Sequence, residues 1–290
     1  MRAPAAGPAR PGKDQLSVQD QAERYDEADP PVALKPFIRK IWTYAAPSPS
    51  GEVQRIAPDG CPELVIDLGA PYEEEGEDGV FRLQPSAIFA GQMTRPLAIR
   101  PAGPVELVAM RFEPDGARDW LGRPMIEATD RRLDMVERTR DLKAALSSLG
   151  GDPAGQVALA ARWLEQKRRA GDWRIDPIVR AEVAAMAEDR PPPARPAAAH
   201  RALQRRFRDR VGASPRILRS IFRFRRVFDH AEDGGWLQAG LEAGYFDQPQ
   251  MARDFRRFLG CTATDWARQK VELARLIASQ TYKPDGAAQV

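Results

Sequence analysis

The chain has 290 residues, of which 43% are hydrophobic and 29% are charged, so it has room for two domains that each bury a core. None of its apolar runs is long enough to cross a bilayer, so the sequence predicts no membrane-spanning segment. The net charge is only +3, but residues 195–270 hold 16 Lys and Arg against 8 Asp and Glu, and the first 194 residues carry a net charge of −5. This asymmetry favours a C-terminal unit that binds a polyanion, although basic residues on solvated helix surfaces would produce the same count.

The N-terminal segment, residues 1–24, is rich in Ala, Pro and charged side chains and lacks the apolar core of a signal peptide. We interpret it as a disordered leader or an over-long gene start. Cys61 and Cys261 are 200 positions apart with no second cysteine near either, so two reduced thiols explain them more simply than a disulfide. These features predict a cytoplasmic protein without a membrane partner.

Residues 25–170 are predicted to form a β-rich domain with flanking helices. Within residues 37–112, short apolar runs alternate with turn-forming residues such as Pro58-Asp59-Gly60, a pattern typical of an antiparallel barrel or sandwich. From Gly116 onward, apolar residues recur at three- and four-residue spacings, which indicates helices. We therefore expect an α+β protein with a β-barrel-like N-terminal domain.

Residues 236–266 have the pattern of two short helices joined by a tight turn. Leu237 and Leu241 would share one face of the first helix, and Gly244 can adopt the left-handed conformation that ends it. Asp247 suits the N-cap of the second helix, Pro249 suits its first turn, and Gly260 would end it. The inward face of that helix consists of Met251, Phe255, Phe258 and Leu259. The pattern is that of a helix-turn-helix or, less specifically, of an amphipathic helical hairpin.

The polar side of the second helix carries side chains suited to duplex DNA. Gln248, Gln250 and Arg253 lie in its first two turns, the end that enters a major groove in a helix-turn-helix. Arginine can donate two hydrogen bonds to guanine, and glutamine matches the donor and acceptor of adenine. We predict base contacts for these three residues. Arg256 and Arg257 come later and are predicted to contact phosphates.

This segment resembles the second helix-turn-helix of the AraC/XylS family of transcription regulators. The resemblance is carried by Leu237, Gly240, Ala243-Gly244-Tyr245, Asp247-Gln248, Met251, Arg253, Phe255-Arg256 and Gly260. It implies an all-α DNA-binding domain over residues 175–275, in which one long helix joins two helix-turn-helix units that reach successive major grooves. Residues 276–290 are predicted to be a flexible tail.

A long linker helix is predicted independently of the resemblance. Ser214 can cap a helix that begins at Pro215, after a break at Gly212, and a broad apolar surface continues from there to His230. A helix of this length spans about 24 Å at 1.5 Å per residue. That length suits two units whose target grooves are about 34 Å apart.

The first unit departs from the family pattern. Residues 202–215 resemble the first recognition helix and its exit, but the family's preceding helix would fall at residues 189–197, where the prolines at 191–193 and 196 prevent a normal helix. Either the unit is truncated and weak, or a segment such as residues 176–188 packs in its place. The resemblance implies base contacts for Arg201, Gln204 and Arg205, and for this departing unit we predict phosphate contacts for Arg206 and Arg208. We expect weakened base reading here, with Arg205 joining the phosphate-binding set.

The N-terminal half resembles a sensor-type domain that often precedes this module. The likeness lies in Tyr25, Pro30-Pro31, Leu34, Phe37-Ile38, Ile41-Trp42, the run Ile56–Ile66, Val108 and Arg111-Phe112. It implies a small β-barrel for ligand sensing, dimerisation or both. The candidate partners are double-stranded DNA, RNA polymerase, a small-molecule effector of unidentified chemistry and a second copy of the chain.

We expect neither an enzyme nor a bound cofactor or metal. The two histidines, His200 and His230, occupy predicted surface positions, and the sequence has no Cys/His cluster with metal-ligand spacing and no phosphate-binding glycine motif. The leading hypothesis is a transcription regulator that reads duplex DNA. The alternatives are a protein–protein interaction module whose degenerate first unit has lost specific DNA reading, and an enzyme with a catalytic β-domain tethered by DNA binding.

Overall fold

A computed structural model describes residues 23–47, 49, 51–230 and 235–268 of the chain. The described strands are β1 (Arg24–Ala28), β2 (Ile38–Ala46), β3 (Gln54–Ile56), β4 (Glu63–Asp67), β5 (Tyr72–Glu75), β6 (Phe81–Leu83), β7 (Ala87–Ala90), β8 (Leu97–Pro101), β9 (Val105–Phe112) and β10 (Arg132–Asp134). The described helices are α1 (Arg118–Leu121), α2 (Val136–Ser147), α3 (Pro153–Ala170), α4 (Pro177–Ala187), α5 (Ala197–Arg210), α6 (Pro215–His230), α7 (Trp236–Glu242), α8 (Gln248–Leu259) and α9 (Ala263–Arg268).

The predicted terminal segments fall largely beyond these ranges. Residues 1–22 of the predicted leader lie outside the described residues, and Arg24, near its end, is the first residue of β1. The predicted tail, residues 276–290, also lies outside them. In the part of the chain that the structure describes, no helix is both long and apolar enough to span a membrane.

The strands form two antiparallel sheets that share a core. The larger sheet has six strands in the order β1-β2-β9-β4-β7-β10, and the smaller has four in the order β3-β8-β5-β6. Strand β9 is buried on both faces, because Leu107 and Ala109 pack towards the smaller sheet while Val108 and Met110 pack towards the helices. Alternation along a strand therefore places successive apolar residues in two different cores, which explains the nearly continuous apolar run of β9.

Helices cover the second face of the six-stranded sheet. Leu142 of α2 and Leu164 of α3 belong to the same buried cluster as the strand residues beneath them. At the centre of this layer, the Trp120 ring lies between Phe89 and Phe112, with centroid separations of 5.3 and 5.2 Å. The N-terminal half is thus a three-layer arrangement of small sheet, large sheet and helices.

The C-terminal half is helical and is organised around α6. The predicted linker helix is confirmed with its expected bounds, Pro215–His230, and the Ser214 hydroxyl accepts a hydrogen bond from the Ile217 amide at 3.3 Å. The Phe224 ring of α6 contacts the rings of Phe255 and Phe258 on α8 at 5.1 and 5.3 Å. With a β-rich N-terminal part and this all-helical part, the predicted α+β class is confirmed.

A carboxyl group is buried at the end of β4. Asp67 is only 2% exposed, and it is paired in register with Leu107 on β9. Burial raises the pKa of Asp67 to about 7, an effect that the charge of Lys143 partly opposes. The folded protein therefore holds this side chain protonated over a pH range in which the unfolded chain ionises it.

Changing Asp67 to Asn tests this burial. Since the folded state binds the extra proton between the unfolded pKa of about 4 and the folded value near 7, the free energy of unfolding of the parent protein should fall by roughly 1–4 kcal/mol across that range and then level off. Asp67→Asn should reduce the slope in urea unfolding measured over a pH series, and the buried Asp115, whose pKa is also raised by burial, contributes to the slope that remains. Asp141→Asn, at an exposed position on α2, is the matched control. A slope in Asp67→Asn as steep as that of the parent protein would contradict a buried, protonated Asp67.

Candidate nucleic-acid interface

The second helical pair has the caps and the buried face that the sequence predicts. Gly244 has a φ of +87° in the turn, and Gly260 has a φ of +71° where α8 ends. The Asp247 carboxylate accepts a hydrogen bond from the backbone N–H of Gln250 at 2.7 Å, which caps the start of α8. The predicted inward residues Met251, Phe255, Phe258 and Leu259 are all buried.

A glycine lets the two helices of this pair approach closely. A Cβ atom at Gly240 would lie 2.5 Å from the sulfur of Met251, closer than atoms can pack without displacement. Gly240 therefore marks the point where α7 contacts α8. The tight turn and this close contact together fix the angle between the helices.

The outward side of α8 presents most of the predicted DNA-contacting residues to solvent. Gln248, Arg253, Arg256 and Arg257 are exposed, while Gln250 is half-buried. The Gln250 side-chain oxygen accepts a hydrogen bond from the Phe246 amide at 3.2 Å and so helps to close the turn. Because pairing with adenine uses this same oxygen as an acceptor, its bond to the Phe246 N–H restricts the orientations in which Gln250 can meet a base.

A polar network that the sequence analysis missed holds α8 against α6. The Asp254 carboxylate accepts hydrogen bonds from Arg223 at 3.0 Å and from the Tyr245 hydroxyl at 2.9 Å. The Arg223 guanidinium lies over the Tyr245 ring at 4.4 Å from its centroid. Burial and the neighbouring Asp254 carboxylate raise the pKa of Tyr245, which stays protonated as a donor. A lone acid on the basic helix α8 was the available sequence signal.

The first helical pair is built from α4 and α5. Val179, Val183 and Met186 of α4 are buried in one cluster with Leu203 and Phe207 of α5. Of the two alternatives that the sequence left open, the structure therefore has the second, in which the segment before the prolines packs in place of the expected short helix.

The proline-containing connection between these helices is non-helical, as predicted, and polar contacts hold it. Arg195 pairs with Glu182 of α4 at 2.6 Å. Asp189, which has the unusual φ of +55°, pairs with Arg226 of α6 at 2.6 Å. Arg219 of α6 donates a hydrogen bond to a backbone carbonyl of the connection at 2.7 Å. Arg219 and Arg226 of α6 therefore hold the connection in place through contacts within the protein.

The outward side of α5 forms a basic concavity. Exposed side chains of α5 and one serine line a hollow of about 420 Å³: Arg201, Gln204, Arg205, Arg208 and Ser214. Ser214, which caps α6, also belongs to this lining, and its sequence pattern indicated only the cap.

Arg206 is placed differently from its neighbours on α5. It pairs with Asp176, the N-cap residue of α4, at 2.7 Å. This ion pair links α5 to the start of α4. An anion bound by Arg206 would therefore compete with an internal carboxylate.

Comparison with known proteins gives one family match and remote structural likenesses. Residues 26–134 match a family model described as a domain of unknown function, DUF6597. No curated protein matches the chain. Among solved structures, it is similar to ToxT from Vibrio cholerae in an apo variant (8% identity, 78% of this chain and 95% of that chain, TM-score 0.42) and in a second crystal form (6%, 83% and 97%, 0.42). ToxT bound to an unsaturated fatty acid is similar at 8% identity, over 87% of this chain and 96% of that chain, with a TM-score of 0.40.

The N-cap of α8 provides a test of this local geometry. Asp247→Ala removes the acceptor for the backbone N–H of Gln250 and should lower the free energy of unfolding by about 1 kcal/mol. Asp247→Ser retains a capping oxygen and should stay close to the parent protein. Thermal and denaturant unfolding would measure both variants. Equal stability of the alanine and serine variants would rule out a cap at this position.

Proposed function

We propose that the protein is a transcription regulator of the AraC/XylS type that binds duplex DNA in the major groove through α8. The observation that carries this proposal is the exposure of Gln248 and Arg253 on the first two turns of a capped helix whose opposite face is buried. A helix of this kind can enter a groove with its polar side without disturbing its own packing.

The roles of the α8 side chains follow from their positions. Arg253 suits guanine and Gln248 suits adenine, and each good two-bond pair contributes about 1–3 kcal/mol of discrimination. Arg256 and Arg257, in the last turn, suit phosphates, which position the protein without reading sequence. Gln250 helps to close the turn, and this bond to the Phe246 N–H limits the orientations in which its side chain can read a base.

The first pair adds a mainly electrostatic contact. Three arginines of α5 (Arg201, Arg205 and Arg208) line one hollow with Gln204, an arrangement that suits a phosphate strand better than a single base edge. Arg206 contributes less, because its guanidinium is held by Asp176. This supports weakened base reading by α5.

The β-rich domain is the proposed sensing or self-association unit of a cytoplasmic regulator, and we assign it no catalytic step. Its expected partners are a small-molecule effector and a second copy of the chain, while RNA polymerase is the expected partner of the DNA-bound form. These assignments rest on the family resemblance of the sequence.

A protein–protein interaction module is the second candidate function, and one surface favours it. Leu237, Leu241 and Phe246, on α7 and the turn after it, are 53%, 51% and 90% exposed. Leu237 and Leu241 are four residues apart on α7 and so share one helix face, and a contiguous exposed apolar surface commonly marks a contact with another protein. This function predicts no competitor-resistant band in a gel shift with genomic fragments at moderate salt, whereas the regulator predicts one.

Two arginines on α8 distinguish base reading from phosphate binding. Arg253→Ala should relax selectivity at one base position by roughly 10-fold, because a two-bond contact is lost. Arg257→Ala should weaken binding to all sequences alike and flatten the salt dependence of affinity. Affinities on selected and random duplexes over a salt series would measure both. The same loss on both duplexes for both variants would refute these assignments.

Selection of bound sequences from a random DNA pool tests the proposal as a whole. We expect one well-defined half-site for α8, flanked about one helical turn away by a weakly specified segment that faces α5. Two equally sharp half-sites would contradict the weakened first unit. Recovery of no preferred sequence would reject the regulator.

A further inference from the structure

The loop between β3 and β4 is seated on α6. We call residues 57–61 of this loop the wedge. Gly60 has a φ of +92°, and a Cβ atom there would lie 2.4 Å from Cε1 of Phe222 and 3.2 Å from Cδ1 of Leu218. Ala57 and Cys61 are buried in the same cluster as the α6 residues. The wedge therefore belongs to the core of the helical half, although its sequence lies in the β-rich half.

Buried charged side chains interact with the wedge. Arg111 of β9 is 2% exposed and pairs with Asp59 of the wedge at 3.4 Å and with Glu63 at 2.7 Å. Arg225 of α6 is fully buried, and burial lowers its pKa to about 10 while Asp59 opposes the shift. Asp59 thus acts on one arginine from each half of the chain. Removing one member of such a buried group leaves the others uncompensated.

A second contact lies at the junction of α5 and α6. The Thr129 hydroxyl donates a hydrogen bond to the Gly212 carbonyl at 2.6 Å. Gly212 has a φ of +83°, and a Cβ atom there would lie 2.8 Å from the Met125 carbonyl oxygen. The turn that leads from the first recognition helix into the linker helix is therefore held by the β-rich half.

Ion pairs extend the contact to α4 and α5. Arg180 of α4 pairs with the buried Asp115 at 2.7 Å, and Arg210 of α5 pairs with Asp119 at 2.8 Å. The outward residues Arg201 and Arg208 of α5 remain exposed while these contacts are made. The β-rich half thus contacts the first helical pair through these ion pairs and leaves the basic concavity on the outward side of α5 exposed.

We propose that the β-rich half is a scaffold that keeps the first helical pair ordered, with the wedge as the contact that couples it to α6. The connection between α4 and α5 spans the nine residues 188–196 and contains four prolines, in place of a tight turn. Because these nine residues replace a tight turn, the orientation of the two helices depends on side-chain contacts, and those with the β-rich half add to the direct packing of α4 on α5. The expected effect on DNA binding rests on the proposed function. Loosening the contact between the wedge and α6 weakens DNA binding, whereas loosening an autoinhibitory contact would strengthen it.

The test uses the full chain with Gly60→Ala and a matched control, Gly79→Ala. Gly79 has a similar φ of +73° but nothing within 4 Å of a Cβ atom, so the control carries the backbone strain without the clash. Hydrogen exchange of the α5 amides should be about 10-fold faster in Gly60→Ala than in the control. Affinity for mixed-sequence duplex DNA should fall in Gly60→Ala alone.

Thr129→Val is a milder variant that keeps side-chain volume and removes the hydrogen bond to Gly212. It should make hydrogen exchange of the α5 amides faster, but by a smaller factor than Gly60→Ala. If Gly60→Ala does not fold, Thr129→Val alone tests the scaffold. Equal α5 exchange in Gly60→Ala, Thr129→Val and the control overturns the scaffold, and so does tighter DNA binding by either variant. Faster α5 exchange in a protein that binds no duplex even when unaltered supports the scaffold and rejects the proposed function.

Discussion

The burial of α6 on nearly every side is the constraint that organises the helical half. Its residues Leu218, Ile221, Phe222, Phe224 and Val227 are each at most 2% exposed. A single helix with so wide an apolar surface must be covered from several directions, because exposed apolar area costs about 25 cal/mol per Å². The wedge, α4, α7 and α8 supply that cover. The two helical pairs are therefore placed by the helix they share.

The arginines of α6 show that a basic composition has two uses in this protein. Arg223 binds Asp254 of α8, and Arg226 binds Asp189 of the proline-containing connection, so both cations hold neighbouring segments in place. Arg206 on α5 is similarly held by Asp176. The charge excess of residues 195–270 thus overstates the surface that can meet a polyanion. The cations that remain exposed lie mainly on the outward sides of α5 and α8.

The two helical pairs differ in how their geometry is maintained. In the second pair, a glycine turn, a capping aspartate and the close contact at Gly240 lie within one short segment. In the first pair, a nine-residue connection with four prolines replaces the tight turn, and ion pairs with α6 and with the β-rich half supplement the packing of α4 on α5. The angle within the second pair is thus set inside one short segment, although α6 holds that pair in place, whereas the first pair also depends on residues of the β-rich half.

The amino-acid sequence alone was sufficient to predict α6, α7 and α8, with the cap at Asp247 and the stop at Gly260, because caps and apolar periodicity act over a few neighbouring residues. It also predicted that the prolines at 191–193 and 196 would exclude a helix directly before α5. It left open what packs there, and it did not reveal that Gln250 closes the turn, that Arg206 is held by Asp176 or that the wedge is seated on α6. The contacts of Arg206 and of the wedge depend on partners distant along the chain, such as Gly60 and Phe222, and the local bond of Gln250 depends on a side-chain conformation that only the folded turn selects.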